Sequence, residues 1–243
     1  MVRKLAEKVA LITGGSRGVG KAIASAYARE GAKVFICGRT EAVLRKTAAE
    51  IRANGGEVSW CAADIVKARD VKRLVGELCR AYGTIDILVN NASMLGPREP
   101  IIRYPLSTWE EVIRVNLTAI FVLTKEVLGV MVQRREGSII NVSSGVGRVG
   151  KARWGAYAAA KFGVEGLTQV LADEMREWNI RVNAVNPGGT RTEMRAQAYP
   201  EEDPLTLPTP DEITGVFVYL ASAESMAVTG KSFDAREWRR NKN

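Results

Sequence analysis

Histidine is absent from all 243 residues of the chain. Its absence excludes Ser-His-Asp and Cys-His catalysis and every metal site that depends on imidazole. Any proton transfer must therefore use Tyr, Lys, Asp, Glu or Cys. The three cysteines (Cys37, Cys61 and Cys79) have spacings that fit neither a zinc motif nor a disulfide framework, so we expect reduced thiols and no metal site.

Long apolar runs are also missing. No uninterrupted apolar stretch reaches the roughly 18 residues that cross a bilayer, and the first eight residues mix acid and base without a signal-like segment. The sequence therefore predicts a soluble cytoplasmic protein with no membrane partner. The formal net charge is +8, but 35 basic and 27 acidic residues are mixed along the chain. An anionic cofactor or substrate explains this balance as well as nucleic acid does, and we do not expect nucleic-acid binding.

Apolar residues make up 46% of the chain, enough for one substantial core, and we predict a single domain over 1–243. Short apolar stretches alternate with segments of helical periodicity. Strands that are apolar throughout and separated by helices need a parallel sheet covered on both faces. The expected fold is α/β, a doubly wound parallel sheet of the Rossmann type. Strands are predicted at 9–13, 34–37, 58–62, 87–89, 138–142 and 180–185.

Helices are predicted between these strands, at 21–30, 41–53, 71–82 and 156–177. Ser107 and Thr108 precede two glutamates in a capping-box arrangement, which predicts a long helix through about Met131. Residues 195–209 contain three prolines and are expected to form a variable loop on the substrate side. Residues 235–243 are expected to be a solvated basic tail.

A glycine-rich turn lies between the first predicted strand and the first predicted helix. Glycines there let the backbone approach a pyrophosphate, whose charge is met by free N–H groups and the helix dipole. A glycine-rich turn alone can be merely a tight turn, but this one occupies the position of the binding crevice in a parallel sheet. We predict cofactor contacts from Thr13, Gly14, Ser16, Arg17, Gly18, Val19 and Gly20.

The end of the second strand indicates which dinucleotide is bound. It reads Cys37-Gly38-Arg39-Thr40, without the Asp or Glu that accepts from the ribose hydroxyls in sites that prefer NAD. Arg39 and Arg17 can both reach an adenosine ribose, where guanidinium binds a 2′-phosphate well. The sequence therefore favours NADP(H) over NAD(H), although either arginine alone could be a solvated surface residue.

The spacing Gly14-x-x-x-Gly18-x-Gly20 resembles the short-chain dehydrogenase/reductase family, and further motifs follow in family order over about 8–234. Asn90-Asn91-Ala92 resembles the family's Asn-Asn-Ala-Gly element, with Ser93 in place of the glycine. This resemblance implies further cofactor contacts from Asp64, Ile65, Asn91, Ala92, Pro187, Gly188, Thr190 and Thr192. It also implies contacts from Tyr157 and Lys161.

Tyr157 and Lys161 are four residues apart on a predicted helix, so both side chains project from one face. A phenol has a pKa near 10. To act as a base near neutral pH, its pKa must fall by about three units, or about 4 kcal/mol. An adjacent ammonium supplies part of this shift, and the positive charge of an oxidised nicotinamide can add to it. A Tyr-x-x-x-Lys pair alone occurs on many helices and carries little information.

The resemblance assigns catalytic roles to four residues: Asn116, Ser144, Tyr157 and Lys161. In reduction, Tyr157 would give its proton to the carbonyl oxygen and Ser144 would hydrogen-bond the same oxygen. Lys161 would hold the nicotinamide ribose, and Asn116 would support a water through which protons are resupplied.

The predicted function is hydride transfer between NADP(H) and a carbonyl or secondary alcohol, with a 3-oxoacyl thioester or another small ketone as the substrate. The alternative is an NADP(H)-binding sensor or scaffold with little turnover, which would have no need of Tyr157. The shortened 195–209 segment and a C-terminus without the family's usual glycine pair leave the substrate open. The resemblance also implies a homotetramer or homodimer built from the long helices that follow the fourth and fifth strands.

Overall fold

A computed structural model describes residues 3–240, except for the side chains of residues 239 and 240. Within this part of the chain, seven strands form one parallel sheet in the order β3-β2-β1-β4-β5-β6-β7. This sheet confirms the predicted α/β doubly wound fold of the Rossmann type. The strands are β1 (Val9–Thr13), β2 (Lys33–Gly38), β3 (Glu57–Ala62), β4 (Ile87–Asn90), β5 (Gly137–Val142), β6 (Ile180–Asn186) and β7 (Ser232–Asp234).

Helices connect successive strands and cover both faces of the sheet. The α-helices in the described residues are α1 (Gly18–Arg29), α2 (Glu41–Ala53), α3 (Ala68–Tyr82), α4 (Leu106–Ile113), α5 (Ala119–Arg134), α6 (Gly155–Glu174), α7 (Glu193–Ala198), α8 (Gly215–Ala221) and α9 (Ala235–Arg240). A π-helical turn, Arg114–Thr118, joins α4 to α5 without a break. Short 3-10 turns fill several of the remaining connections.

The two faces of the sheet form two apolar cores because successive side chains of a strand point to opposite faces. Ile12 and Ile36 face the core that includes side chains of α1, α2 and α8. Leu11 and Phe35 face the other core, with side chains of α3, α5 and the far end of α6. All five residues of β1 are buried, which agrees with its position in the middle of the sheet. Most buried side chains of the strands are therefore apolar, with exceptions such as Asn183 in the middle of β6.

Three predicted details need correction. The capping box at Ser107 and Thr108 is wrong, because α4 begins at Leu106 after Pro105 and has no side-chain cap. The irregular segment begins later than Arg195, because α7 extends to Ala198. Residues 235–240 are not a solvated tail: they form α9, whose Trp238 stacks on Tyr219 with ring centroids 4.5 Å apart. The rest of that predicted tail, 241–243, lies outside the described residues.

The continuous helical stretch 106–134 is long and apolar enough to cross a membrane by length and composition alone. Charged residues interrupt it, which is why the sequence shows no unbroken apolar run. Length and composition alone are weak evidence for a membrane span, because the core helix of a soluble protein can have both. Leu123, Val127 and Met131 are fully buried in the core against the sheet. We therefore interpret this stretch as a core helix with one face on the sheet.

Candidate active site

A cleft of about 900 Å³ opens at the carboxyl ends of the strands. The chain order reverses between β1 and β4, so the loops that follow these strands diverge and leave a crevice. The turn after β1, the ends of β2 and β3, and the segments after β4, β5 and β6 all line it. Its volume is in the range of clefts that hold a whole ligand. The fold thus brings segments far apart in sequence to one binding site.

The glycine-rich turn forms one wall of this cleft and leads into α1. The N-cap residue of α1 is Arg17, whose side chain makes no capping hydrogen bond, and the first turn of α1 contains no acidic residue. The first N–H groups of α1 therefore remain available to an anion. Gly14 and Gly18 have φ values of +62° and +52°, which favour glycine. These features fit a pyrophosphate.

Close packing behind the turn explains Gly20. A Cβ there would lie 2.3 Å from the carbonyl oxygen of Gly14 and 2.4 Å from Nδ2 of Asn91. Thr13 is also buried, and its Oγ1 accepts hydrogen bonds from the backbone N–H groups of Asn91 and Ala92, both at 2.9 Å. Asn91 and Ala92 line the cleft, whereas Thr13 and Gly20 lie behind its wall. We therefore expect Thr13 and Gly20 to shape the turn and not to touch a ligand.

Two arginines lie on the rim near the end of β2. Arg17 makes an exposed ion pair with Glu193 at 3.4 Å, which is weak because water screens it. Arg39 forms no ion pair with any residue in the range 3–238, and no carboxylate ends β2. This rim suits a phosphate better than a pair of ribose hydroxyls.

The other predicted cofactor residues also lie along the cleft. Asp64 and Ile65 follow β3, and the backbone N–H of Asp64 donates to Asp70 at 2.9 Å, which holds this corner in place. Thr192 caps α7 by accepting from the N–H of Arg195 at 3.2 Å. The cleft lining includes Ser16, Val19, Asp64, Ile65, Pro187, Gly188, Thr190 and Thr192. Their contacts with a cofactor stay predictions.

Tyr157 and Lys161 lie on one face of α6, at the deep end of the cleft. The Lys161 ammonium lies 5.5 Å from the centroid of the Tyr157 ring and donates to the carbonyl oxygen of Val142 at 2.7 Å. Ser144 follows β5, and its hydroxyl lies near enough to Tyr157 to lower the pKa of the phenol. The structure thus brings together three of the four residues predicted to be catalytic, all of them lining the cleft.

Burial dominates the ionisation of this pair. It raises the pKa of Tyr157 above its usual value, and hydrogen bonds with Ser93 and Ser144 oppose that rise. Burial also lowers the pKa of Lys161 to about 8, against the attraction of the Glu165 carboxylate. The sequence predicts a lowered pKa for Tyr157 because of Lys161, but in this structure burial raises that pKa. Tyr157 is therefore protonated at neutral pH, the state that a proton donor needs.

Asn116, the fourth predicted residue, lies in the π-helical turn and is fully buried. Its Oδ1 accepts from the N–H of Met94 at 2.9 Å, and its Nδ2 donates to the carbonyl oxygen of Met94 at 2.8 Å. The side chain therefore holds the segment after β4 in place, and it does not line the cleft. A water supported by Asn116 stays a prediction.

Ser93 is a site residue that the sequence reasoning noted only as a departure from the family's motif. Its hydroxyl donates to Oδ1 of Asn116 at 2.9 Å, and it also lies near enough to Tyr157 to lower the pKa of the phenol. A hydroxyl can rotate between such partners. Ser93 thus connects Asn116 to Tyr157, a connection that a glycine could not make. The signal in the sequence was the replacement itself.

We expect Ser93→Gly to lower kcat about fivefold, the effect of one hydrogen bond worth about 1 kcal/mol. Because this bond holds the pKa of Tyr157 down, its loss should raise that pKa. Alcohol oxidation needs the deprotonated tyrosine, so the acidic limb of its pH–kcat profile should move to higher pH. Ser93→Thr should restore both values. An unchanged profile in the glycine variant would show that Ser93 has no such role.

Comparison with known proteins gives one family. The sequence profile described as short chain dehydrogenase matches residues 8–203. The oxidoreductase YciK of Escherichia coli K12 is 40% identical over 239 residues, 97% of this chain and 94% of the relative. The 3-oxoacyl-acyl-carrier-protein reductase FabG of Thermotoga maritima is 38% identical over 238 residues, 94% of this chain and 96% of the relative. A short chain dehydrogenase of Escherichia coli CFT073, solved in complex with NADPH, superposes with a TM-score of 0.93 at 40% identity, covering 97% of this chain and 99% of the other.

Proposed function

The chain belongs to the short-chain dehydrogenase/reductase family of oxidoreductases, and we propose that it transfers a hydride between NADP(H) and a carbonyl compound or secondary alcohol. The proposal rests on the residues that line the cleft. One continuous cleft contains an anion-binding glycine turn at one end and the buried pair Tyr157 and Lys161 at the other. A dinucleotide lying along it would bring its redox group beside a proton donor.

NADP(H) is the proposed cofactor. The uncapped start of α1 fits the pyrophosphate, and Arg17 and Arg39 fit the extra phosphate on the adenosine ribose. The solved relative from Escherichia coli CFT073 is described as complexed with NADPH, and this also supports the proposal. When bound, the reduced nicotinamide supplies the hydride.

Residues of the chain donate the proton to the substrate and stabilise the negative charge on its carbonyl oxygen. Tyr157, protonated and buried, donates its proton to the carbonyl oxygen of the substrate. Ser144 donates a hydrogen bond to the same oxygen and stabilises its growing negative charge. Lys161 is placed to hold the nicotinamide ribose, and its ammonium, within 5.5 Å of the Tyr157 ring, favours the phenolate left after proton transfer.

For the substrate, we propose a 3-oxoacyl thioester or another small ketone. The Thermotoga maritima relative is a reductase of 3-oxoacyl groups on a carrier protein, which supports the first. We also propose a homotetramer or homodimer. Phe121 on α5 and Phe162 on α6 are about half exposed, and apolar side chains of this kind are buried when such helices pair between subunits. The cytoplasmic location stays a prediction.

The proposal is tested by following NADPH consumption by the purified protein with a panel of ketones that includes acetoacetyl thioesters, with NADH run alongside. We expect turnover with NADPH and at least tenfold less with NADH at the same concentration. Tight NADPH binding without turnover on any member of the panel would favour the sensor alternative. Failure to bind either nucleotide would contradict the proposed cofactor.

A further inference from the structure

The cleft continues past Tyr157 into a cluster of aromatic and cationic side chains. The Trp154 ring lies 5.5 Å from the Tyr157 ring and 6.1 Å from the Tyr199 ring, centroid to centroid. The Arg98 guanidinium lies 5.1 Å from the Trp154 centroid and 4.5 Å from the Tyr199 centroid. Arg98 and Trp154 both line the cleft. Only the Trp154 ring separates Arg98 from the proposed proton donor.

The hydrogen bonds of Arg98 leave one edge of its guanidinium unused. Its Nη1 donates to the carbonyl oxygen of Ala198. Its Nε is buried and has no hydrogen-bond partner, and no carboxylate among residues 3–238 forms an ion pair with Arg98. The Nε and Nη2 edge is one that binds a carboxylate or phosphate through two parallel hydrogen bonds. Arg98 is partly buried, and a buried N–H donor without a partner is costly unless a ligand accepts from it.

Trp154 repeats this pattern. Its side chain is buried, and its indole Nε1–H has no hydrogen-bond partner. Buried donors are normally satisfied, so an unpaired one that lines a cleft indicates a ligand that completes it. Two neighbouring side chains that line the cleft therefore each have a buried N–H donor without a partner. Both donors suit an oxygen acceptor.

The surroundings carry a positive excess. The Arg195 guanidinium lies 3.9 Å from the centroid of the Tyr199 ring. Its charge is neutralised by Glu202, whose carboxylate accepts two hydrogen bonds from it at 2.6 and 2.7 Å. Lys151 donates to the Tyr199 hydroxyl at 3.1 Å and has no ion pair within the described part of the chain. Arg98 and Lys151 are thus two cations without a carboxylate partner around one aromatic cluster. Such a cluster attracts an anion and disfavours a cation.

We propose that Arg98, together with the indole N–H of Trp154, binds an anionic group of the substrate, so that the protein acts on oxo acids or phosphorylated ketones and their alcohols. The inference rests on the proposed function, because it assumes that the carbonyl group lies at Tyr157. The anionic group would be a carboxylate or a phosphate in the same small molecule as the carbonyl. Arg98 then determines specificity and positions the substrate, while Tyr157 remains the proton donor.

Binding is measured first, because it does not depend on turnover. Oxo acids from 4-oxopentanoate to 6-oxoheptanoate and their methyl esters are titrated by calorimetry into protein saturated with NADP⁺, where reduction cannot occur. Dihydroxyacetone phosphate and dihydroxyacetone form a second pair. We expect at least one anion to bind about tenfold or more tightly than its neutral partner. The pair that shows this difference identifies carboxylate or phosphate as the anionic group.

Variants then assign the effect to Arg98. Arg98→Gln should remove the preference for the anion, and Arg98→Lys should keep only part of it, because an ammonium lacks the two-donor edge. Trp154→Phe keeps the ring and should weaken anion binding several-fold. Arg103→Gln is the matched control: it removes the same charge from the same segment, where Arg103 is exposed and pairs with Glu99. It should leave the preference intact.

The proposal is overturned if acids and esters, and the phosphate and its alcohol, bind equally to the wild-type protein. This comparison needs no variant, so it holds even if Arg98→Gln fails to fold. An anion preference that persists in a folded Arg98→Gln protein overturns it too. Failure of the proposed function looks different: NADPH would not bind or be consumed, while the oxo acids can still be titrated into the protein alone.

Discussion

Replacing Tyr157 with phenylalanine is expected to lower kcat about a thousandfold while the dissociation constant for NADPH changes less than about twofold. The buried phenol is the proposed proton donor for the substrate oxygen, and Ser93 and Ser144 oppose the rise of its pKa. Phenylalanine keeps the ring and its packing against Trp154 but has no proton to give. The measurement is steady-state kinetics with the best substrate of the panel, together with calorimetric titration of NADPH.

Tyr219→Phe is the control for this variant. Its ring stacks on Trp238 and does not line the cleft, so the loss of its hydroxyl should leave kcat unchanged. If Tyr157→Phe retained more than about a tenth of the wild-type kcat, another group would have to supply the proton. If it lost NADPH binding as well, the substitution would have damaged the cofactor site, and the result would not support a role in proton transfer.

Arg39→Asp is expected to reverse the nucleotide preference, with NADPH binding weakened about a hundredfold and NADH binding improved. Arg39 lies exposed on the rim at the end of β2, without an ion pair in the described part of the chain. An arginine hydrogen-bonded to a phosphate contributes about 1.5–3 kcal/mol, and a carboxylate in its place adds repulsion. The same carboxylate can accept from the ribose hydroxyls of NADH. Titration of both nucleotides measures the change.

Arg45→Asp makes the same change of charge nearby, on the exposed surface of α2, where Arg45 pairs with Glu41. Comparing the two variants distinguishes a direct contact between Arg39 and the 2′-phosphate from a long-range effect of the changed charge. Arg45→Asp should leave the preference for NADPH in place. An equal loss in the two variants, or an unchanged preference in Arg39→Asp, would contradict the assignment of Arg39 to the 2′-phosphate.

The regular part of the fold could be predicted because local signals agree with it. The predicted bounds of β1 and α2 match the structure, since glycines and turn residues mark the ends of these elements. The C-terminal elements could not be predicted in the same way. Strand β7 has three residues and α9 has six, too few for a periodic pattern. Their stability comes from packing, as where Trp238 meets Phe233 and Tyr219.

The identity of the main site residues could be predicted from the sequence, but the environment of their side chains could not. Tyr157 and Lys161 could be identified from spacing and resemblance, whereas the pKa of Tyr157 depends on how deeply the fold buries it. Asn116 is buried in a π-helical turn, and no pattern in the sequence predicts that turn. Arg98 is remote from Tyr157 in sequence, and only the packing of Trp154 and Tyr199 connects it to the site.

Hydride transfer from the cofactor to the substrate can be followed with an isotope. NADPH carrying deuterium at carbon 4, on each face of the ring in turn, is incubated with the wild-type protein and the best ketone, and the alcohol is analysed by mass spectrometry. We expect one deuterium on the carbinol carbon from one of the two labelled forms. NADPH oxidation without deuterium in the alcohol from either form would contradict it.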